Sequence, residues 1–133
     1  MLGSFQQSTL RLEMDASAAT LERCLKETAL LRQWLWPQQL QEGIPEQLEM
    51  GVEFESRVGP IRIGHRVEQC SASQLQVSLW GGMDGMSEWV WGNGWAQLRV
   101  EAISLMPLSP GVLLSLGRLQ AFAHQLTQAT TAA

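Results

Sequence analysis

The stretch "SEWVWGNGWAQLRVE", Ser87 to Glu101, carries three of the chain's six tryptophans around a Gly-Asn-Gly. The direction in which those indoles point decides what kind of molecule this is. In an antiparallel hairpin, residues directly opposite one another share a face. Asn-Gly is the strongest short hairpin signal, because both central positions of the preferred turn need positive φ. A two-residue Asn93-Gly94 turn places Trp91 opposite Ala96, Trp89 opposite Leu98 and Glu88 opposite Arg99. One face then holds Trp89, Trp91, Ala96, Leu98 and Val100; the other holds Glu88, Val90, Trp95, Gln97, Arg99 and Glu101. A three-residue Gly-Asn-Gly loop would instead set Glu88 against Leu98 and scatter charge into the apolar face. Trp89 and Trp91 are therefore expected inside and Trp95 outside.

The same parity test extends to the neighbouring strands. A Gly59-Pro60 turn pairs Val58 with Ile61, Ser56 with Ile63, Phe54 with His65 and Val52 with Val67, so His65 faces inward while Glu53, Glu55, Arg57, Arg62 and Arg66 face out. A three-residue Met83-Asp84-Gly85 loop aligns Leu79 with Trp89 and Val77 with Trp91. A Ser71-Ala72-Ser73 loop sets Gln69 opposite Leu75 and His65 opposite Leu79. One concave apolar face results, with Ser56, His65 and Gln69 as its few polar members.

Either side of this meander the period changes. "STLRLEMD" alternates Leu10, Leu12 and Met14 against Arg11 and Glu13, the pattern of a half-buried strand. "DASAATLERCLKETALLRQWLWP" follows, with Asp15 or Ser17 as N-cap and Leu21, Cys24, Leu25 and Thr28 on one face, which predicts two short helices broken near Thr28 and stopped by Pro37. After "PLSPG", Val112, Leu116, Leu119, Ala123 and Leu126 recur at helical spacing, with Ser109 available as cap and Pro110 in the first turn. Residues 127–133 read as a frayed tail.

At 133 residues the chain makes a single domain, 1–133, that can bury an adequate core without a metal or disulfide. Its 13 acids and 9 bases leave a net charge of −4, and the bases form no cluster, which argues against nucleic acid as a partner. Cys24 and Cys70 stand far apart with no metal-ligand spacing, and the N-terminus has no basic-then-apolar leader, so a cytoplasmic location is expected. The longest apolar stretch, "ISLMPLSPGVLLSL", is broken by two prolines and is too short to span a membrane.

The order of these elements resembles the START-like (SRPBCC) superfamily, which includes the birch pollen allergen, polyketide cyclases and lipid-transfer domains. The resemblance rests on "STLRLEMDASAATLERCLKETALLRQWLWP" and on the closing "PLSPGVLLSLGRLQAFAHQL", and spans nearly the whole chain. It implies an α+β helix-grip fold: a curved antiparallel sheet of six to seven strands around a long C-terminal helix, with two short helices after the first strand. The missing strand would have to lie in "LQEGIPEQLE", which contains Pro45 and reads as a weak edge. A nuclear-transport-factor-like cone is the alternative, but such folds place their long helix first, and here it is last.

The resemblance further implies an internal cavity for a small hydrophobic molecule such as a lipid, isoprenoid, pigment or polyketide-like compound. Phe54, His65, Leu79, Trp89, Trp91 and Leu98 of the sheet and Leu116 of the last helix would form its wall. The same residues would serve equally as plain packed core. Ser56 and Gln69 could orient a ligand, and either Trp34 or Trp36 could sit at a cavity mouth or an interface. Non-catalytic binding is the leading expectation. A small cyclase or dehydratase using His65 as acid or base is the alternative, and a filled core acting through a surface bearing Trp95 or Trp34, as a homo-oligomer or with a protein partner, is a third. No Ser-His-Asp or Cys-His grouping can be assembled, since His124 stands alone near the C-terminus, and "GGMDGM" lacks the lysine of a phosphate loop. No catalytic set, metal or cofactor is therefore expected.

Overall fold

A computed structural model of the chain describes residues 3–35 and 37–132. The elements run β1 (Ser4–Glu13), α1 (Ala18–Lys26), α2 (Thr28–Trp34), β2 (Gln39–Leu40), β3 (Glu53–Val58), β4 (Ile61–Cys70), β5 (Gln74–Gly81), β6 (Met83–Gly92), β7 (Trp95–Ser104) and α3 (Leu108–Ala132). The sheet order is β1-β7-β6-β5-β4-β3-β2, antiparallel throughout. This is the helix-grip arrangement. Its weakest member is β2, two residues paired to β3 at the edge and lying in the segment where a weak edge was expected.

Local chemistry sets the boundaries. Ser17 caps α1 by accepting from the Thr20 backbone N–H at 3.2 Å. Glu27 is extended, with φ −79° and ψ 115°, and bridges to Gln47, which divides α1 from α2 beside Thr28. The Asn93-Gly94 turn has Gly94 at φ +81° and sets Trp91 opposite Ala96 and Trp89 opposite Leu98. The β3–β4 register likewise pairs Phe54 with His65 and Ser56 with Ile63.

Two registers depart from expectation. The β5–β6 chain reverses about Gly82 rather than at Met83-Gly85, so Leu79 faces Gly85 and Leu75 faces Trp89. The Gly82 N–H donates to the Arg62 carbonyl at 2.8 Å, an approach that leaves no room for a side chain: a Cβ there would lie 2.3 Å from Ile61 Cγ2. Leu79's partner thus moves from position 89 to 85, an even slip that keeps every residue on its expected face. In β4–β5 the pairs His65–Leu79 and Val67–Val77 hold, but a bulge between Val67 and Gln69 sets Gln69 opposite Gln76. One extra residue reverses the face, and Gln69 is exposed instead of joining the concave surface.

Helix α3 crosses that surface with Val112, Leu116, Leu119 and Ala123 buried along one stripe. Its start is not capped by Ser109, whose hydroxyl meets Ser8 Oγ at 3.2 Å. Gln6 of β1 does the work: its Oε1 accepts from the Leu108 N–H at 3.0 Å while its Nε2 donates to the carbonyls of Ser104 and Met106 at 3.1 and 3.0 Å. At the other end the helix continues through the expected tail to Ala132.

On the convex face two indoles lie over glycines of the adjacent strand. A Cβ on Gly64 would fall 2.1 Å from the Trp80 ring, and one on Gly92 would fall 2.6 Å from Trp95 Nε1. Arg11 covers Trp95 from outside at 4.1 Å. These aromatic-over-glycine pairs fill gaps in the sheet surface.

Inside β6, Gly85 permits a tight approach of β7, since a Cβ there would sit 2.0 Å from the Glu101 carbonyl oxygen. Gly85→Ala is expected to cost about 3 kcal/mol or more in denaturant unfolding; a loss under about 1 kcal/mol would contradict this spacing. Gln6→Ala removes three hydrogen bonds, one of them the helix cap, and is expected to cost about 1–3 kcal/mol, checked in the same assay.

Candidate functional site

Helix and sheet do not fill the space between them. Toward the first half of α3 they leave a cavity of about 420 Å³. Its sheet wall includes Ile63, His65, Leu79, Trp89, Leu98 and Val100; its helical wall is Leu108, Gly111, Val112, Leu114 and Ser115; Leu35, Pro37 and Gln38 close one side. Gly111, Leu114 and Pro107 are exposed as well as lining, and so mark the mouth. Ser87, Gly111 and Ser115 contribute small side chains to this wall, and a Cβ on Gly111 would meet nothing within 4 Å. None of the lining residues is charged.

Four of the seven residues expected in a ligand-binding wall, His65, Leu79, Trp89 and Leu98, line the cavity together. The other three lie behind it. Phe54 stacks on the His65 ring, with centroids 4.6 Å apart and planes at 8°. Trp91, 1% exposed, is core, and its Nε1 is sealed without a hydrogen-bond partner among the described residues. Leu116 is wholly buried in the α3 stripe. Trp34 is also buried: it meets Trp89 edge-on at 5.8 Å, donates from Nε1 to the Cys24 carbonyl at 2.9 Å, and its own carbonyl accepts from Arg118 Nε at 2.6 Å. Trp36 lies outside the described residues.

At the β3–β4 side of the cavity, a buried polar network forms. Ser56 Oγ lies 2.7 Å from His65 Nε2, and the Gln38 amide nitrogen reaches both, Ser56 Oγ at 2.5 Å and His65 Nε2 at 3.3 Å. Burial pushes the His65 imidazole down to about 4, so the ring is neutral near pH 7. Ser56 is 1% exposed and stands behind His65, outside the lining. Gln38 was not anticipated, because it follows Pro37 in a linker without periodicity. Ser87 was legible in principle: it shares the parity of Trp89 and Trp91.

The remaining candidates lie elsewhere. His124 is exposed, with Nδ1 2.7 Å from Asp15 Oδ2, beside a shallow depression that includes Glu13 and Gln120. Cys24 and Cys70 are free thiols, and burial raises Cys24 to about 11. Among the described residues no cluster of three His, Cys, Asp or Glu is arranged to hold a metal, and no helix is long and apolar enough to cross a membrane.

No protein-family model matches the sequence, and no curated protein matches it. Solved structures do share the fold. Protein CV1439 from Chromobacterium violaceum superposes with a TM-score of 0.72 at 15% identity, covering 89% of this chain and 97% of that one. Ginseng major latex-like protein 151 from Panax ginseng superposes with a TM-score of 0.66 at 8% identity, covering 93% and 98%. DynU16, a protein of the dynemicin biosynthetic locus, gives 0.64 at 18% identity, with 92% of this chain matching 48% of that one. At these identities the likeness establishes the fold.

The neutral buried His65 has a consequence for acid stability. Its folded value lies below the ordinary 6.5, so its neutral state favours the fold fully above pH 6.5, and that contribution is lost as pH falls from 6.5 toward about 4. The loss approaches roughly 1.4 kcal/mol per pH unit, about 3 kcal/mol in all. Unfolding of the protein and of His65→Gln, compared from pH 7 to pH 4, is expected to show this difference, with an NMR midpoint for the imidazole near 4. A midpoint near 6.5 would refute it.

Proposed function

We propose that this protein is a START-like binding or carrier domain that holds a small, largely apolar, uncharged molecule between the sheet and α3. The observation that carries the reading is the cavity itself: about 420 Å³, walled by apolar side chains with a few uncharged polar groups. That volume lies in the lower part of the usual range for ligand sites, about 300–1,000 Å³. It suits a few fused rings or a short chain and not a two-chain lipid. The chain shares its fold with DynU16, from the dynemicin biosynthetic locus, and with the ginseng protein, and the START-like resemblance of that fold implies an internal ligand cavity.

A second reading, a cyclase-like or dehydratase-like enzyme with His65 as acid or base, draws on the place of His65 in the cavity wall. Its lowered basicity weighs against it, since a base that is protonated only near pH 4 takes a proton reluctantly at neutral pH.

Native mass spectrometry of the freshly purified protein, followed by fluorescence titration with naphthalene and a short-chain fatty alcohol, tests the binding reading. Trp89 in the wall is the reporter. Saturable binding is expected, weakened at least about tenfold by Ser115→Phe, which fills the cavity from the helix side, and left within about twofold by Trp95→Phe on the convex face. No co-purified mass and no saturable response to either probe would sink the proposal.

A further inference from the structure

The arrangement of Gln38, Ser56 and His65 narrows the ligand class, given that the cavity binds a ligand as proposed above. We infer that the cavity recognises an uncharged molecule bearing a hydrogen-bond donor and an acceptor side by side, as in a lactam edge, through Gln38 and His65.

The argument is a count of donors and acceptors. Ser56 offers one O–H, His65 Nε2 one site and Gln38 one amide end, all within hydrogen-bond reach of one another. With the amide nitrogen inward, Gln38 donates to Ser56 Oγ and the Ser56 O–H donates to His65 Nε2, the 3.3 Å approach of the Gln38 nitrogen to Nε2 being the longer, secondary contact. The imidazole proton then sits on Nδ1, leaving Gln38 Oε1 as a free acceptor and Nδ1–H as a free donor. Turning the amide over inverts every bond: His65 Nε2–H donates to Ser56 Oγ, and Ser56 donates to Gln38 Oε1. The Gln38 NH2 group is then the free donor and His65 Nδ1 the free acceptor. In both of these arrangements the network presents one donor and one acceptor.

His65 and Gln38 are lining residues, and neither His65 Nδ1 nor the outer amide atom of Gln38 has a partner among the described residues. The one polar side-chain atom among the described residues that is sealed from solvent without a partner is Trp91 Nε1. The two free atoms therefore keep access, and the cavity is the opening beside them. A carboxylate or ammonium ligand would be desolvated there with no opposite charge in the lining. A neutral ligand with paired donor and acceptor satisfies both protein groups at once.

The test uses three bicyclic probes of similar size: naphthalene, carbostyril (the lactam, with adjacent N–H and C=O) and naphthoate. Affinities are read from tryptophan fluorescence and the protonated ring nitrogen of His65 from its nitrogen NMR shifts. Carbostyril is expected to bind about tenfold more tightly than naphthalene, and naphthoate more weakly than either. In Gln38→Leu, and independently in His65→Phe, the ratio of carbostyril to naphthalene affinity is expected to fall to about twofold or less. Carbostyril should also shift the His65 nitrogen resonances where naphthalene does not. A cooperative thermal unfolding transition shows that each variant is folded. Saturable naphthalene binding with no preference for carbostyril, or with naphthoate preferred, would overturn the recognition and leave the cavity reading standing. Failure of all three probes to bind would overturn both.

Discussion

The structure depends on covering one face of one sheet. Period-two alternation along five consecutive strands gathers Phe54, Ile63, Val67, Leu79, Trp89 and Leu98 on a single side, and an antiparallel sheet with one apolar face must bury it against something. Helix α3 is that cover. A straight rod laid on a curved surface cannot meet it everywhere, and space remains where small side chains, Gly111 and Ser115 on the helix and Ser87 on the sheet, form part of the wall. The cavity is thus a product of shape mismatch, at the end where Gln6 fixes the start of the helix.

Electrostatics reinforces the character of that space. With no charged lining residue, the field inside comes from the Gln38–Ser56–His65 network and from hydroxyls such as Ser87. A neutral imidazole between a phenyl ring and two uncharged hydrogen-bonding partners is a fixed dipole more than a proton carrier. The stacked Phe54 fixes its plane, and Ser56 and Gln38 fix its edge. Such a group orients a ligand well and does acid–base chemistry poorly.

How much of this could be read from the sequence depended on range. Where a turn has two residues with strong local preferences, as at Asn93-Gly94 and Gly59-Pro60, parity assigned both faces and the exact partners. At "WGGMDGM" three glycines competed for the turn, and tertiary contact with Arg62 decided for Gly82; the slip was even, so the faces survived although the partners changed. The bulge beyond Val67 has no strong local signature, and it moved Gln69 from the concave side to the convex one. The Gln6 cap was beyond local reading altogether, since donor and acceptor stand 102 positions apart. For the site, the apolar wall was half legible, because parity tells inside from outside but not cavity from core. That is why Trp91 and Trp89, alike by face, differ in what they touch.

The pairing of β1 with β7 also has a bearing on how the molecule is assembled. The innermost pair of that ladder, Glu13 and Trp95, lies 82 positions apart, whereas the hairpins of the meander close over a few residues. At about 0.6 kcal/mol per doubling of loop length, closing the long loop costs roughly 2–3 kcal/mol more than closing a hairpin. Only after that closure can Gln6 reach Leu108 and set the roof of the cavity. A ligand in the cavity would therefore rest on a helix whose start is pinned by β1, and its binding free energy would stabilise the most entropically costly contact in the fold.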